Sequence, residues 1–238
     1  MSNSIRFIFP LILSFLTPAI KAADNSDSPL FQSTLFRVAD EQKRIWTFPS
    51  KLLEPKVAIT TAAVVAATAA LIVTDSASSG YFRATTSFNG FNRVFSSNIT
   101  GYGTLAAPAA FLAAGLLRKD PKMTGTAIAA GEALANAEVL AIVMKDVTGR
   151  ASPSAMQQGW FKAGTDGSFP SGHSISAFAV ATVISRRYSN HRWVPWVAYG
   201  LAATVGFSRV SGSAHFASDA FLGAALGYSV GRFAVLRQ

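Results

Sequence analysis

The chain has 238 residues, of which 50% are hydrophobic and 14% are charged. An average soluble domain carries about 25% charged residues, so this composition excludes a disordered chain and favours a buried or membrane-associated protein. The absence of cysteine excludes disulfide bonds, thiolate catalysis and cysteine-ligated metal sites. The formal charge of +9 favours anionic partners, such as lipid head groups, phosphorylated substrates or nucleic acid.

The N-terminus has the organisation of a secretory signal. Arg6 precedes an apolar run over residues 7–20, and Ala22 and Ala23 offer a small-residue cleavage site. We therefore predict a signal peptide over residues 1–23 and export of the chain. The alternatives are an uncleaved anchor and an ordinary buried segment.

Residues 24–55 combine two patterns. Residues 24–34 are polar and predict a flexible lead-in, whereas residues 35–54 mix charges with Leu, Phe, Ile and Trp and predict an amphipathic helix broken near Pro49. Such a helix either packs on the domain or lies on a membrane surface. The main helical domain then covers residues 56–238.

Six apolar stretches follow, and none alternates with the period of two that is typical of a strand. They cover residues 57–74, 101–117, 123–144, 173–184, 193–207 and 217–236. The fold class is therefore all-α, a six-helix bundle, with residues 75–100 as a longer connection that includes a short helix near residues 91–95. Several stretches approach the length of about 20 residues that crosses a bilayer. Their many Ala and Gly residues suit close helix packing in a membrane, so we favour a membrane-embedded bundle over a soluble one.

Helix alternation divides the connecting segments between two ends of this bundle. One end collects most of the Lys and Arg, including those of residues 118–122 and 186–192. The positive-inside rule places that end in the cytoplasm and the other end in the periplasm. A cleaved signal, however, places residues 24–55 of the same basic end outside, and both predictions cannot hold if all six helices span. A short or re-entrant helix, an uncleaved signal or a soluble bundle would each remove the conflict.

Polar clusters interrupt the apolar C-terminal half and carry the candidate functional residues. The first cluster closes the third stretch and contains Lys145 and Arg150. The second precedes the fourth stretch, where Ser171 suits a helix N-cap and Gly172 allows a ligand to approach the backbone closely. The helix N-terminus beside His173 is suited to binding a phosphate.

The third cluster joins the fifth and sixth stretches. His215 and Asp219 are four residues apart and share one helix face, and a carboxylate beside an imidazole fixes its tautomer and raises its basicity. Arg209, at the end of the preceding helix, can bind an oxyanion through two hydrogen bonds. Because successive helices alternate in direction, we expect all three clusters to lie at the same end of the bundle.

Two of these clusters resemble motifs of the type 2 phosphatidic acid phosphatase (PAP2) and vanadium haloperoxidase superfamily. Residues 170–173 read Pro-Ser-Gly-His, as in the family's second motif. The third motif is matched at four positions, Ser208, Arg209, His215 and Asp219. The resemblance covers residues 100–236 and implies a six-helix bundle of the PAP2 and haloperoxidase type.

The first family motif, Lys-x6-Arg-Pro, is matched only in part. Lys145 and Pro153 fit it, but Ser152 occupies the arginine position. Arg150, two residues earlier, is the candidate replacement for the phosphate contact of that arginine. The alternative is that this contact is lost.

The resemblance implies a phosphatase mechanism. His215 would attack phosphorus and form a phosphohistidine, Asp219 would orient its ring, and His173 would protonate the leaving group and then activate water. Phosphate binding would fall to five further residues, Lys145, Arg150, Ser171, Gly172 and Arg209. The implied mechanism requires no metal and no other cofactor.

The resemblance also implies the substrate class, a lipid phosphate monoester or diphosphate at a membrane. A soluble, nonspecific acid phosphatase of the periplasm is the main alternative, and a vanadium haloperoxidase is a third. The basic residues are distributed over several loops rather than one tract, which disfavours a nucleic-acid partner or a non-enzymatic basic membrane module.

Overall fold

A computed structural model describes residues 29–47, 54–95, 97–154 and 167–236. The predicted signal peptide, residues 1–23, and the first part of the lead-in, residues 24–28, lie outside the described residues. The described chain forms eight α-helices and a terminal π-helical turn over Val230–Val235, which confirms the all-α class. The helices are α1 Pro29–Thr47, α2 Pro55–Ala84, α3 Asn89–Val94, α4 Ser97–Arg118, α5 Pro121–Thr148, α6 Gly172–Arg187, α7 Trp193–Ser211 and α8 Ala217–Ser229.

The six apolar stretches of the sequence correspond to α2 and α4–α8, and the short helix expected near residues 91–95 is α3. The end of α2 differs from the sequence prediction. Residues 75–84, expected to belong to a connection, continue α2 to Ala84 because this end of the helix packs against α7 and α8. The amphipathic helix likewise begins earlier than expected, at Pro29.

The ends of α5 show how local sequence positions one polar cluster. Asp120 caps the helix, since its side chain accepts hydrogen bonds from the backbone N–H groups of Lys122 and Met123, and Pro121 begins the first turn. The helix ends at Gly149, whose φ of 52° lies in the left-handed region that glycine adopts without strain. This turn directs the chain from Lys145 in the last turn of α5 towards Arg150.

Three of the described helices, α2, α4 and α5, are long and apolar enough to cross a membrane. Large apolar side chains face outward on the first two, with Ile59 and Val73 of α2 and Leu117 of α4 more than four-fifths exposed. An exposed apolar surface of this extent is unfavourable in water and suits contact with lipid. These features indicate a membrane protein.

Helix α6 lies at the centre of the bundle and contacts α5, α7 and α8. Its contact with α8 depends on three glycines spaced four residues apart. A Cβ atom on Gly223 would lie 2.7 Å from the carbonyl oxygen of Ser171, and one on Gly227 would overlap the carbonyl oxygen of Ile175. Gly231 approaches the backbone of α6 in the same way. The two helices that carry the histidines of the second and third motifs are therefore packed backbone against backbone.

Helix α1 packs on α5 through polar contacts. Arg37 Nε donates to Glu132 Oε1 at 2.7 Å, and Asn136 Nδ2 donates to Glu41 Oε2 at 2.7 Å. Gln42 Nε2 also donates to Asn136 Oδ1 at 2.8 Å. Of the two placements expected for the amphipathic segment, the structure has the one in which the helix packs on the domain.

Candidate active site

The alternating helices bring one set of ends together. The ends of α5 and α7 and the C-terminal half of α2 lie beside the first turns of α4, α6 and α8, as hydrogen bonds between these segments show. This arrangement confirms the expectation that the three polar clusters lie at the same end of the bundle. The site is therefore built from six helix ends.

Asp219 and His215 form the first part of this site. Asp219 is fully buried in the first turn of α8, where its Oδ2 accepts a hydrogen bond from the backbone N–H of Phe216 at 2.9 Å. The same oxygen lies 3.5 Å from Nδ1 of His215. Because Nδ1 faces the carboxylate, Nε2 on the opposite side of the ring is the nitrogen available for chemistry.

His173 is the second residue of α6. Its Nε2 lies 3.2 Å from the carbonyl oxygen of Ser97, at the start of α4. Burial, followed by the positive charges of Arg209 and His215, lowers the pKa of His173 to about 4. The imidazole is therefore neutral at pH 7.

Ser171 caps the same helix, and its side chain accepts a hydrogen bond from the backbone N–H of Ser174 at 3.4 Å. The backbone of α6 thus begins beside His173, with the N-terminal end of the helix dipole at the site. Gly172 lies close to Lys145, since a Cβ atom there would be 3.8 Å from Lys145 Nζ. The ammonium group of α5 therefore reaches the N-terminus of α6.

Arg209, in the last turn of α7, is 3% exposed. Its guanidinium donates hydrogen bonds to the side chain of Ser97 and, at 2.5 Å, to the carbonyl oxygen of Phe95. Ser97 therefore contacts both Arg209 and His173. Sequence reasoning missed Phe95 and Ser97, since neither belongs to a motif and both lie in or next to the segment interpreted as a connection.

Arg150 lies deeper in the protein and is fully buried. Its NH1 donates to Asp219 Oδ1 at 2.6 Å and to Ser218 Oγ at 2.6 Å, and its NH2 donates to Asp75 Oδ2 at 2.8 Å. The guanidinium also lies 4.2 Å from the ring centroid of Phe216. These bonds to two carboxylates favour a positioning role for Arg150 over the phosphate-binding role predicted from the sequence.

Ser152, which stands at the arginine position of the first motif, is placed outside this network. Its Oγ lies 3.0 Å from Oγ of Ser154, a neighbour in the chain. A serine side chain is too short to replace the reach and the charge of an arginine. Among the described residues, Lys145 and Arg209 are the arginine and lysine side chains whose charges act on His173.

Asp75 is a further residue of this site that sequence reasoning missed. It is fully buried in α2, where its Oδ1 accepts a hydrogen bond from the backbone N–H of Ser218 at 3.2 Å and its Oδ2 accepts from the Ser218 hydroxyl. One signal was present, because Asp75 directly follows an apolar run without charges. A carboxylate inside an apolar helix is costly to bury without a function or a partner.

The chain is similar to known proteins to different extents. Residues 126–238 match the sequence model of the PAP2 superfamily. A lipid A 1-phosphatase of Porphyromonas gingivalis is 43% identical over 65 residues, which are 27% of this chain and 15% of that protein. The crystal structure of a transmembrane PAP2 type phosphatidylglycerolphosphate phosphatase from Bacillus subtilis is 18% identical, with a TM-score of 0.47 over 84% of this chain and 94% of that one.

The family match includes the second and third motifs and their histidines. Residues 126–238 are slightly less than half of the chain, and over these residues the sequence is similar to the PAP2 superfamily. The aligned segment spans only a small part of the length of the lipid A 1-phosphatase.

Proposed function

We propose that this protein is a phosphatase that hydrolyses lipid phosphate monoesters or diphosphates through a phosphohistidine. The observation that carries the proposal is the pairing of His215 with Asp219 beside His173, Lys145 and Arg209, at one end of a bundle with three long apolar helices. Two imidazoles in one cationic site provide a nucleophile and an acid–base group for phosphoryl transfer.

In the first step, Nε2 of His215 attacks phosphorus and the bond from phosphorus to the leaving oxygen breaks. Asp219 stabilises the positive charge that develops on the attacking ring. His173 donates a proton to the leaving oxygen. Its low pKa does not prevent this, because the negative charge of a bound phosphate favours the protonated imidazole and offsets the charges that lower the pKa.

In the second step, water attacks the phosphohistidine. His173, deprotonated by the first step, accepts a proton from this water as the bond from phosphorus to Nε2 breaks. Inorganic phosphate leaves and His215 returns to its initial state. The overall reaction consumes one water and needs no other reactant.

The charge of the transferring phosphoryl group would be stabilised by fixed cations and by a helix N-terminus. Arg209 and Lys145 supply the cations, and the free N–H groups at the start of α6 near Ser171 and Gly172 supply hydrogen bonds. Preorganised donors of this kind account for much of the catalysis of phosphoryl transfer.

A lipid substrate is supported by the apolar helices and by the similarity to the Porphyromonas gingivalis relative, a lipid A 1-phosphatase. A membrane location would place the six helix ends near the phosphate head groups. We propose that this end faces the periplasm, since the opposite end carries most of the Lys and Arg.

The test is phosphate release by the purified protein in mild detergent, compared with His215→Gln. The matched control is His191→Gln, which changes an exposed histidine in the turn before α7. The substrates would be lipid A, phosphatidic acid, a polyprenyl diphosphate and a small chromogenic ester. We expect lipid-specific release by the wild type and the control, and none by His215→Gln.

Acid-labile radioactive phosphate on His215 during turnover would support the covalent step. Turnover by His215→Gln close to that of the wild type would overturn the proposal. Equal or faster release from the small ester would favour a nonspecific acid phosphatase instead. Bromide oxidation by peroxide in the presence of vanadate would favour a haloperoxidase.

A further inference from the structure

Asp75 and Arg150 form a buried pair directly behind the proposed nucleophile. We propose that this pair is a positioning device that holds the carboxylate of Asp219 against His215 and preserves its negative charge. The inference deepens the proposed function and rests on it. It assigns a role to a helix, α2, that lies outside the family match at residues 126–238.

Each oxygen of Asp219 has a separate partner. Arg150 NH1 holds Oδ1 at 2.6 Å, while Oδ2 accepts from the backbone of Phe216 and lies 3.5 Å from His215 Nδ1. A carboxylate fixed at both oxygens cannot rotate away from the imidazole. Partners of this kind orient a catalytic group much as outer-shell residues orient a metal ligand.

Asp75 holds the opposite side of the Arg150 guanidinium and the first turn of α8. It accepts from Arg150 NH2 at 2.8 Å, and it also accepts from both the backbone N–H and the hydroxyl of Ser218 in the first turn of α8. Arg150 donates to that same hydroxyl at 2.6 Å. The pair therefore forms hydrogen bonds both with the side chain of Asp219 and with Ser218 in the same helix turn.

Charge provides the second part of the argument. Arg150 with Asp219 alone would be a neutral pair, and the effect of the carboxylate on His215 would be largely cancelled. Asp75 adds a second negative charge on the opposite side of the guanidinium. The three groups together carry one net negative charge, so that Asp219 can still stabilise a positive ring on His215.

Burial explains why the three groups act as a unit. The side chains of Asp75, Arg150 and Asp219 all have 0% exposure. Without the charge of Asp75, Arg150 and Asp219 would remain as a neutral buried pair, and NH2 of Arg150 would lose its charged acceptor. Asp75 therefore sets both the position of the guanidinium and the net charge of the cluster.

The test compares Asp75→Asn with a matched control, Thr68→Val. Thr68 is also a buried polar residue of α2, but its hydroxyl donates only to the carbonyl of Val64 within the helix. We expect Asp75→Asn to lower kcat by about 10–100-fold with KM nearly unchanged, as is typical of positioning residues. We expect the control to retain wild-type kcat.

A double-mutant cycle with Asp219→Asn separates positioning from general destabilisation. If Asp75 acts through Asp219, Asp75→Asn should have almost no further effect on kcat in the Asp219→Asn background. Multiplicative losses in the double variant would overturn the proposal. Wild-type kcat in Asp75→Asn would do so as well.

Modification of His215 by diethyl pyrocarbonate gives a readout that does not need phosphatase activity. The reagent reacts with the free imidazole nitrogen, and peptide mass spectrometry assigns the rate to His215 rather than His173 or His191. We expect slower modification of His215 in Asp75→Asn and unchanged modification in Thr68→Val. If the wild type releases no phosphate but His215 is modified more slowly in Asp75→Asn than in the wild type, only the proposed function is contradicted. If His215 is modified at the same rate in both proteins, the positioning role is overturned.

If Asp75→Asn does not fold, the paired variant Asp75→Asn/Arg150→Gln carries the test. It removes one positive and one negative buried charge, so the cluster keeps one net negative charge. The carboxylate of Asp219 then loses its fixed partner, and we expect the same loss of kcat and slower modification of His215. Wild-type values of both in the folded paired variant would overturn the proposal.

Discussion

His173 and His215 lie at the same end of the bundle but in different electrostatic surroundings. Burial and then the charges of Arg209 and His215 lower the pKa of His173 to about 4, whereas Nδ1 of His215 faces the buried carboxylate of Asp219 at 3.5 Å. The two imidazoles therefore have different partners, and our proposal assigns them separate acid–base and nucleophilic roles.

The stability of the fold should depend on pH through His173. The pKa of its imidazole is about 4 in the folded protein, below the ordinary value of 6.5, so the unfolded chain binds the proton more readily between these values. The contribution to stability is complete above pH 6.5 and is lost as the pH falls through 4. We therefore expect the melting temperature of the wild type to fall more between pH 6.5 and pH 4 than that of His173→Gln.

Differential scanning fluorimetry in detergent would measure both melting temperatures across this range. His191→Gln, an exposed histidine, is the control and should follow the wild type. Parallel curves for the wild type and His173→Gln would contradict the expectation.

Motif spacing was sufficient to identify the residues at helix ends, such as His173, Arg209 and His215. It was not sufficient for Asp75 and Ser97, which contact Arg150 and Arg209, respectively, through tertiary packing between segments far apart in the sequence. Arg150 shows the same limit, since spacing alone could not distinguish a phosphate ligand from a partner of two buried carboxylates.

At the scale of elements, the contact between α6 and α8 sets the position of both motifs. Glycines at positions 223, 227 and 231 allow the two backbones to touch. Apolar patterning predicted both helices, but it did not show that these glycines face α6. The apolar pattern also predicted an end for α2 that is too early. Residues 75–84 are helical because they pack against α7 and α8, and not because they are apolar themselves.

Gly227→Ala should destabilise the bundle. Its Cβ atom would overlap the backbone oxygen of Ile175, and backbone cannot move aside as a flexible side chain can. We expect a loss of about 1–3 kcal/mol in unfolding free energy, as for other overpacked sites, together with reduced activity because His173 and Asp219 shift apart.

The matched control is Gly200→Ala, on α7, where a Cβ atom would have no neighbour within 4 Å. This change should leave stability equal or slightly raised, because alanine is the better helix former. Thermal unfolding in detergent measures both variants. Equal melting temperatures for Gly227→Ala and the wild type would show that α6 and α8 are not in backbone contact.

At the scale of the whole molecule, apolar surface and charge are the basis of the orientation that we propose. The described chain has three helices of sufficient length and hydropathy to span a membrane, and they surround a core in which α6 is the most buried. The polar site lies at one end, and the basic residues of 118–122 and 186–192 lie at the other end. The predicted signal over residues 1–23, on which the conflict with the positive-inside placement of residues 24–55 depends, lies outside the described residues.

The absence of cysteine allows a direct test of this orientation. Thr86→Cys places one thiol on the exposed segment before α3, at the site end, and Asn190→Cys places one at the opposite end. If the site faces the periplasm, a membrane-impermeant maleimide should label Thr86→Cys in spheroplasts and Asn190→Cys only after lysis. The reverse pattern would place the site in the cytoplasm, and labelling of both before lysis would argue against a spanning bundle.

The contact between Asp75 and Arg150 also indicates how much of the chain is needed to complete the site. Recognisable family sequence begins at residue 126, yet Arg150 takes one of its two carboxylate partners from α2. A chain trimmed to the family boundary would keep both histidines and would still leave Arg150 with a single counter-ion. Any exchange of N-terminal helices between such proteins, in evolution or by design, would therefore have to carry a carboxylate at the same depth or remove the arginine with it.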